Sequence, residues 1–145
     1  MNKKTTFTLL LLLAITIAKP HLCFAQDTNS LTGEWRLVYF PYYSTHGNPS
    51  RLKDSNVKLA FNDSNSKGEF TGHSFCNHIG GSYILEGKNL MKIVYFSGTQ
   101  MACAGAGENE LWNAFNHATN YKREKDTLTI FYNDGRDKMV FVSYR

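Results

Sequence analysis

Apolar side chains recur at every second position in several short runs of this chain, the spacing of strands with one buried face. Trp35, Leu37 and Tyr39 alternate with Glu34, Arg36 and Val38 to make the first such run. Val57, Leu59 and Phe61 make the next; Asn62 to Gly68 reads as a turn, and Glu69 to His73 returns as its partner. Tyr83 and Leu85 share a face of Ser82 to Glu86, and Gly87-Lys88-Asn89 turns the chain into Leu90 to Val94, a second hairpin. Leu128, Ile130 and Tyr132, the turn Asn133-Asp134-Gly135, then Met139, Phe141 and Ser143 form a hairpin at the C-terminus.

One segment breaks this period. Leu111, Trp112, Phe115 and Ala118 fall on a 3.6-residue stripe, which predicts a helix. Glu108 and Glu110 sit in its first turn, where carboxylates favour the positive end of the helix dipole, and Gly105 and Gly107 let the chain turn into it. Pro41 to Ser55, rich in Tyr, Ser, Asn, Gly and Pro, reads as a long surface loop. The expected class is α+β, mainly β: an antiparallel sheet or partly closed barrel of about seven to eight strands covered by one helix.

The first 25 residues follow neither pattern. Lys3 and Lys4 precede an apolar run from Phe7 to Ala18, and Cys23-Phe24-Ala25 puts small residues where a signal peptidase reads. The expectation is a signal peptide at 1–25 cleaved before Gln26, a flexible tail at 26–32, and one domain at 33–145. The run is too short to span a bilayer and ends at Lys19-Pro20. Pro20-His21-Leu22 lacks the small residues a lipoprotein carries before its cysteine, which argues against Cys23 as a lipid anchor. The expected location is therefore periplasmic or secreted.

Export changes the charge argument. Lys3, Lys4 and Lys19 account for three charges of the precursor's +4, so the mature chain carries +1. Such a domain has no electrostatic footprint for nucleic acid or an anionic membrane. The remaining 120 residues make one ordinary domain, expected to be monomeric, and their many aromatics suit a compact β-rich core.

Cys76 and Cys103 stand 27 residues apart, and export makes a structural disulfide between them the default expectation. Its loop closure would contribute roughly 3–4 kcal/mol in the chain-entropy description. His73, Cys76, His78 and Cys103 together offer a zinc ligand set. However, His-x2-Cys-x-His with one distant cysteine is poor spacing, so no metal is expected. A thiol nucleophile at Cys76 or Cys103, with His78 or His117 as base and Asn77 as orienter, has no motif around it. The Asp63-x-Asn65-x-Lys67-Gly68 run resembles a calcium loop but has Lys67 at a ligand position and Ser74 where a glutamate is needed. No phosphate-binding loop occurs, and no cofactor is expected. Asp134 and Asp137 read as turn residues, and Gly80 and Gly81 as a bulge or positive-φ turn. Tyr42, Tyr43 and His46 could form a ligand rim or simply fold over the sheet.

Cys76-Asn77-His78-Ile79-Gly80-Gly81-Ser82-Tyr83 resembles the Cys-Asn-x-x-x-Gly-x-Tyr signature of META domains, the HslJ-like bacterial envelope proteins. Thr99-Gln100-Met101-Ala102-Cys103 resembles their Thr-x-Met-Ala-Cys segment. Gly33-x-Trp35, a glutamate at Glu108 or Glu110, and Leu128 and Phe141 in the closing hairpin fit the same order. The resemblance covers Leu31 to Arg145, with Ser74-Phe75 standing where relatives carry small residues. It implies a β-rich α+β envelope domain associated with heat shock or stress, no catalytic residues, and a structural-turn role for Asn77, Gly80, Gly81, Tyr83, Thr99 and Met101. The expected function is a non-enzymatic envelope protein binding a partner protein or small molecule. The alternatives are a small cysteine-dependent hydrolase using Cys76 or Cys103 and a structural or inhibitory module.

Overall fold

The period-two segments pair with one another in chain order. The structure, a computed structural model, describes residues 30–42, 55–102 and 107–145. The expected signal peptide at 1–25, residues 26–29 of the expected tail, Tyr43, His46, Gly105 and Cys103 lie outside the described residues. The strands are β1 (Gly33–Tyr39), β2 (Lys58–Ser64), β3 (Lys67–His73), β4 (His78–Glu86), β5 (Leu90–Gly98), β6 (Ala118–Glu124), β7 (Thr127–Tyr132) and β8 (Asp137–Ser143). Helix α1 (Glu108–Asn116) separates β5 from β6. Every neighbouring pair is antiparallel, and β8 returns to β1, with Leu37 opposite Phe141, so the sheet is a closed eight-stranded barrel.

Closure is uneven. The β5–β6 seam has one register pair, Leu90 with Asn120, reinforced by Tyr121 N–H donating to Asn89 O at 2.8 Å. The chain leaves β5, forms α1, and only then enters β6. Gly107 caps the helix at φ 61, a conformation that suits a residue without Cβ. Leu111, Ala114 and Phe115 are fully buried. The Phe115 ring stacks on Phe70 at 5.4 Å and Phe96 at 5.6 Å and reaches Phe141 at 6.5 Å. Those rings belong to β3, β5 and β8, so α1 stoppers the barrel and adds its own aromatic to the core.

Several expectations are corrected. The turn between β2 and β3 is only Asn65-Ser66, both at positive φ, and β5 runs on to Gly98 instead of ending at Val94. A register shift at Val94 lets Ile93 and Phe96 both pack on the core while Val94 and Tyr95 both face outward. Strand β6 escaped the alternation because its buried residues, Ala118 and Tyr121, stand three apart and a second irregularity puts them on one face. Gly80, Gly81 and Tyr83 lie inside β4, and neither glycine has positive φ. Gly81 is there for space: a Cβ would come within 2.3 Å of Tyr95 O and 2.7 Å of the Phe70 ring.

The domain also starts earlier than expected. Leu31 is fully buried; its N–H donates to Asp63 Oδ1 at 2.9 Å and its carbonyl accepts from Trp35 Nε1 at 2.9 Å. Arg123 holds the Ser30 carbonyl at 2.6 Å while lying 5.2 Å from the Trp35 ring centre. The end of the supposed flexible tail is therefore part of the barrel.

Candidate functional site

The connection Ser74–Asn77 joins β3 to β4 and is buried at both ends. Ser74 N–H donates to Asn77 O at 2.8 Å, and Asn77 N–H donates to Ser74 Oγ at 3.0 Å, so the turn locks itself. Asn77 then reaches outward. Its Oδ1 accepts from Thr99 Oγ1 at 2.9 Å and Met101 N–H at 2.7 Å, and its Nδ2 donates to Glu108 Oε1 at 3.1 Å. Thr99 Oγ1 in turn accepts from His78 N–H at 3.1 Å.

Glu108 completes this knot. Its Oε1 also accepts from Trp112 Nε1 at 3.3 Å and lies against Ser74 Oγ. The Ser74 hydroxyl has a second acceptor in Asn77 O at 2.9 Å, so its one proton serves one of the two at a time. Glu108 Oε2 is buried without a hydrogen-bond partner among the described residues. The arrangement ties the β3–β4 turn, the segment after β5 and the first turn of α1 into one unit.

The sequence reading singled out Asn77, Thr99 and Met101 for a structural-turn role in two separate segments, and the structure joins them by hydrogen bonds. It missed Ser74, whose position three residues before Asn77 was the available signal, and of Glu108 and Glu110 it is Glu108 that enters the knot. Tyr83 belongs elsewhere: its hydroxyl donates to Asp63 Oδ1 at 2.9 Å, and burial followed by the Asp63 charge pushes its pKa upward. That same oxygen accepts from Leu31 N–H and Thr32 Oγ1, which engages the residue that would begin a calcium loop.

Cys76 lies in the connection between β3 and β4. Cys103, the partner expected for it, lies outside the described residues. The proposed bases are engaged elsewhere: His78 packs on His73, and His117 Nδ1 meets the Asn113 carbonyl at 2.9 Å. Asp134 pairs with Arg136 at 3.7 Å on the surface, and Asp137 Oδ2 accepts from Asn133 Nδ2 at 2.9 Å, as turn residues do.

Tyr42 is the part of the expected rim that is described, and it lines a cleft of about 400 Å³. Phe40 and Tyr42 follow β1, Asn109 and Asn113 come from α1, and Tyr132 and Asp137 stand at the β7–β8 corner. Tyr42 stands there among carboxamides and carboxylates, over the buried rings of Phe40 and Tyr132. A wider depression of about 470 Å³ runs over β2 to β5 beside Asp63 and Val94, but only neighbouring strands wall it. The cleft joins three segments distant in sequence, and its residues carried no shared motif.

Burial, then the charges of Asp137 and Tyr39, push the Tyr132 pKa from 10.0 to about 12. A raised folded pKa means that the neutral phenol is the form the fold favours. Its contribution is complete below pH 10 and is lost as pH rises through about 12. The melting temperature is expected to fall across that window, and Tyr132→Phe should flatten part of the fall; an unchanged profile in the variant would contradict this environment.

A family model for the META domain matches residues 22–144. Two solved structures share the fold. An NMR structure of a protein from Burkholderia xenovorans has TM-score 0.53 and 22% identity, over 78% of this chain and 79% of that one. A crystal structure of a DUF4847 family protein from Bacteroides vulgatus has TM-score 0.51 and 16% identity, over 77% of this chain and 92% of that one. No curated protein matches this chain.

Proposed function

Because this chain belongs to the META domain family, we propose that it is an exported, non-enzymatic protein of the cell envelope that binds a small ligand or partner, in a stress-related role. The cleft beside α1 carries this reading, since Tyr42 offers a partly exposed ring while Asn109, Asn113 and Asp137 offer polar groups around it. Export is supported by the basic and apolar start of the sequence, and binding without turnover by the engagement of Ser74, Asn77 and Glu108 with one another. In this reading Cys103 is the partner of Cys76, and mature protein starting at Gln26 has no alkylatable thiol.

The test is a library of polar and aromatic metabolites screened by amide chemical-shift changes on mature protein. Hits are expected to perturb Tyr42, Asn113 and Tyr132, and Tyr42→Ala should abolish them. Perturbations confined to other faces, or conversion of a library member to product, would overturn the reading.

A further inference from the structure

We propose that His73 and His78 form a solvent-open site for one divalent transition-metal ion of the imidazole-preferring kind, with copper(II) bound most tightly. The two residues flank the self-locked Ser74–Asn77 turn and stand directly opposite each other across β3 and β4. Their rings are exposed, with centroids 3.9 Å apart and planes inclined at 50°. Read along an extended chain, five residues apart, they point to opposite faces. The turn instead brings them side by side, which is why spacing alone argued against a shared ion.

The geometry suits a chelate. Metal–imidazole bonds of about 2.0–2.1 Å put two ring centres on one ion roughly 4.5–5 Å apart. The rings must therefore open by about half an ångström each, and exposed side chains rotate freely enough to do so. Once one imidazole binds, the second is already at high effective concentration, because both strands are held by a buried network. His78 is fixed further by its N–H to Thr99 Oγ1 at 3.1 Å and its carbonyl to Thr99 N–H at 3.0 Å. Lys58 stands opposite His73 on β2, but its Nζ lies 5.4 Å from the Tyr144 ring centre, drawn off the pair. Imidazole donors suit copper, nickel and zinc, and copper(II) leads that order. The site uses the two imidazoles and neither Cys76 nor Cys103, and water fills the remaining positions.

Tag-free mature protein titrated with copper(II), and separately nickel(II), in a calorimeter tests the site. One equivalent is expected to bind. His73→Ala and His78→Ala should each weaken it at least about tenfold, the scale on which even outer partners of a metal matter. His117→Ala should leave it unchanged. Absence of saturable binding, retention in both variants, or loss in only one of them would each overturn the two-imidazole site. Far-UV circular dichroism confirms that the variants, changed only at exposed positions, remain folded.

Discussion

Phe70→Ala is expected to destabilise the domain by about 3–5 kcal/mol, the range for deleting a buried phenylalanine ring. Phe70 is 1% exposed and lies at the centre of the aromatic column. It stacks on Phe61 at 5.4 Å, Phe96 at 5.8 Å and Phe115 at 5.4 Å, so its removal opens a cavity between β2, β5 and α1. The site cannot easily collapse, because Gly81 already lets the ring approach the β4 backbone and leaves no side chain there to fill the gap. Domains of this kind have only about 5–15 kcal/mol in hand, so the variant should unfold at much lower urea. Val94→Ala, at an exposed bulge position, should stay within about 0.5 kcal/mol of the parent. Equal midpoints for the two variants would contradict the core placement of Phe70.

Asn77→Ala should cost roughly 2–4 kcal/mol. Its side chain makes three hydrogen bonds, to Thr99 Oγ1, Met101 N–H and Glu108 Oε1, each contributing about 1 kcal/mol net. Alanine also leaves the Met101 N–H and part of the Glu108 demand without partners, which adds a desolvation penalty. Asn77→Asp keeps the acceptor but loses the donor and sets a second carboxylate against Glu108, so at neutral pH it should cost at least as much. Urea denaturation of both variants checks this. A loss below about 0.5 kcal/mol in both, the level of an unremarkable surface change, would show that Asn77 does not hold the knot together.

The hairpins could be read from the chain because their causes are local. Alternation at Val57, Leu59 and Phe61, turn residues at Gly87-Lys88-Asn89 and Asn133-Asp134-Gly135, and the stripe through Leu111 and Phe115 each act within a few residues. The reading failed where the chain departs from its period, at the Val94 bulge and along β6. For the candidate site, Asn77, Thr99 and Met101 were legible through their segments and Tyr42 through its loop. Ser74, Asn113 and Tyr132 were not, because nothing local marks a residue whose partner lies many positions away.

By itself the sequence determined the mainly β class, the helix entered through Gly107, and membership of the family whose model spans residues 22–144. Only the tertiary structure decided that β8 closes onto β1, that α1 stoppers the barrel, and that Ser74 and Glu108 meet. It also decided that His73 faces His78. Turns and alternation follow from the conformational preferences of neighbouring residues. Closure, burial and the meeting of side chains depend on strand registers that are chosen only when the whole apolar face leaves water together.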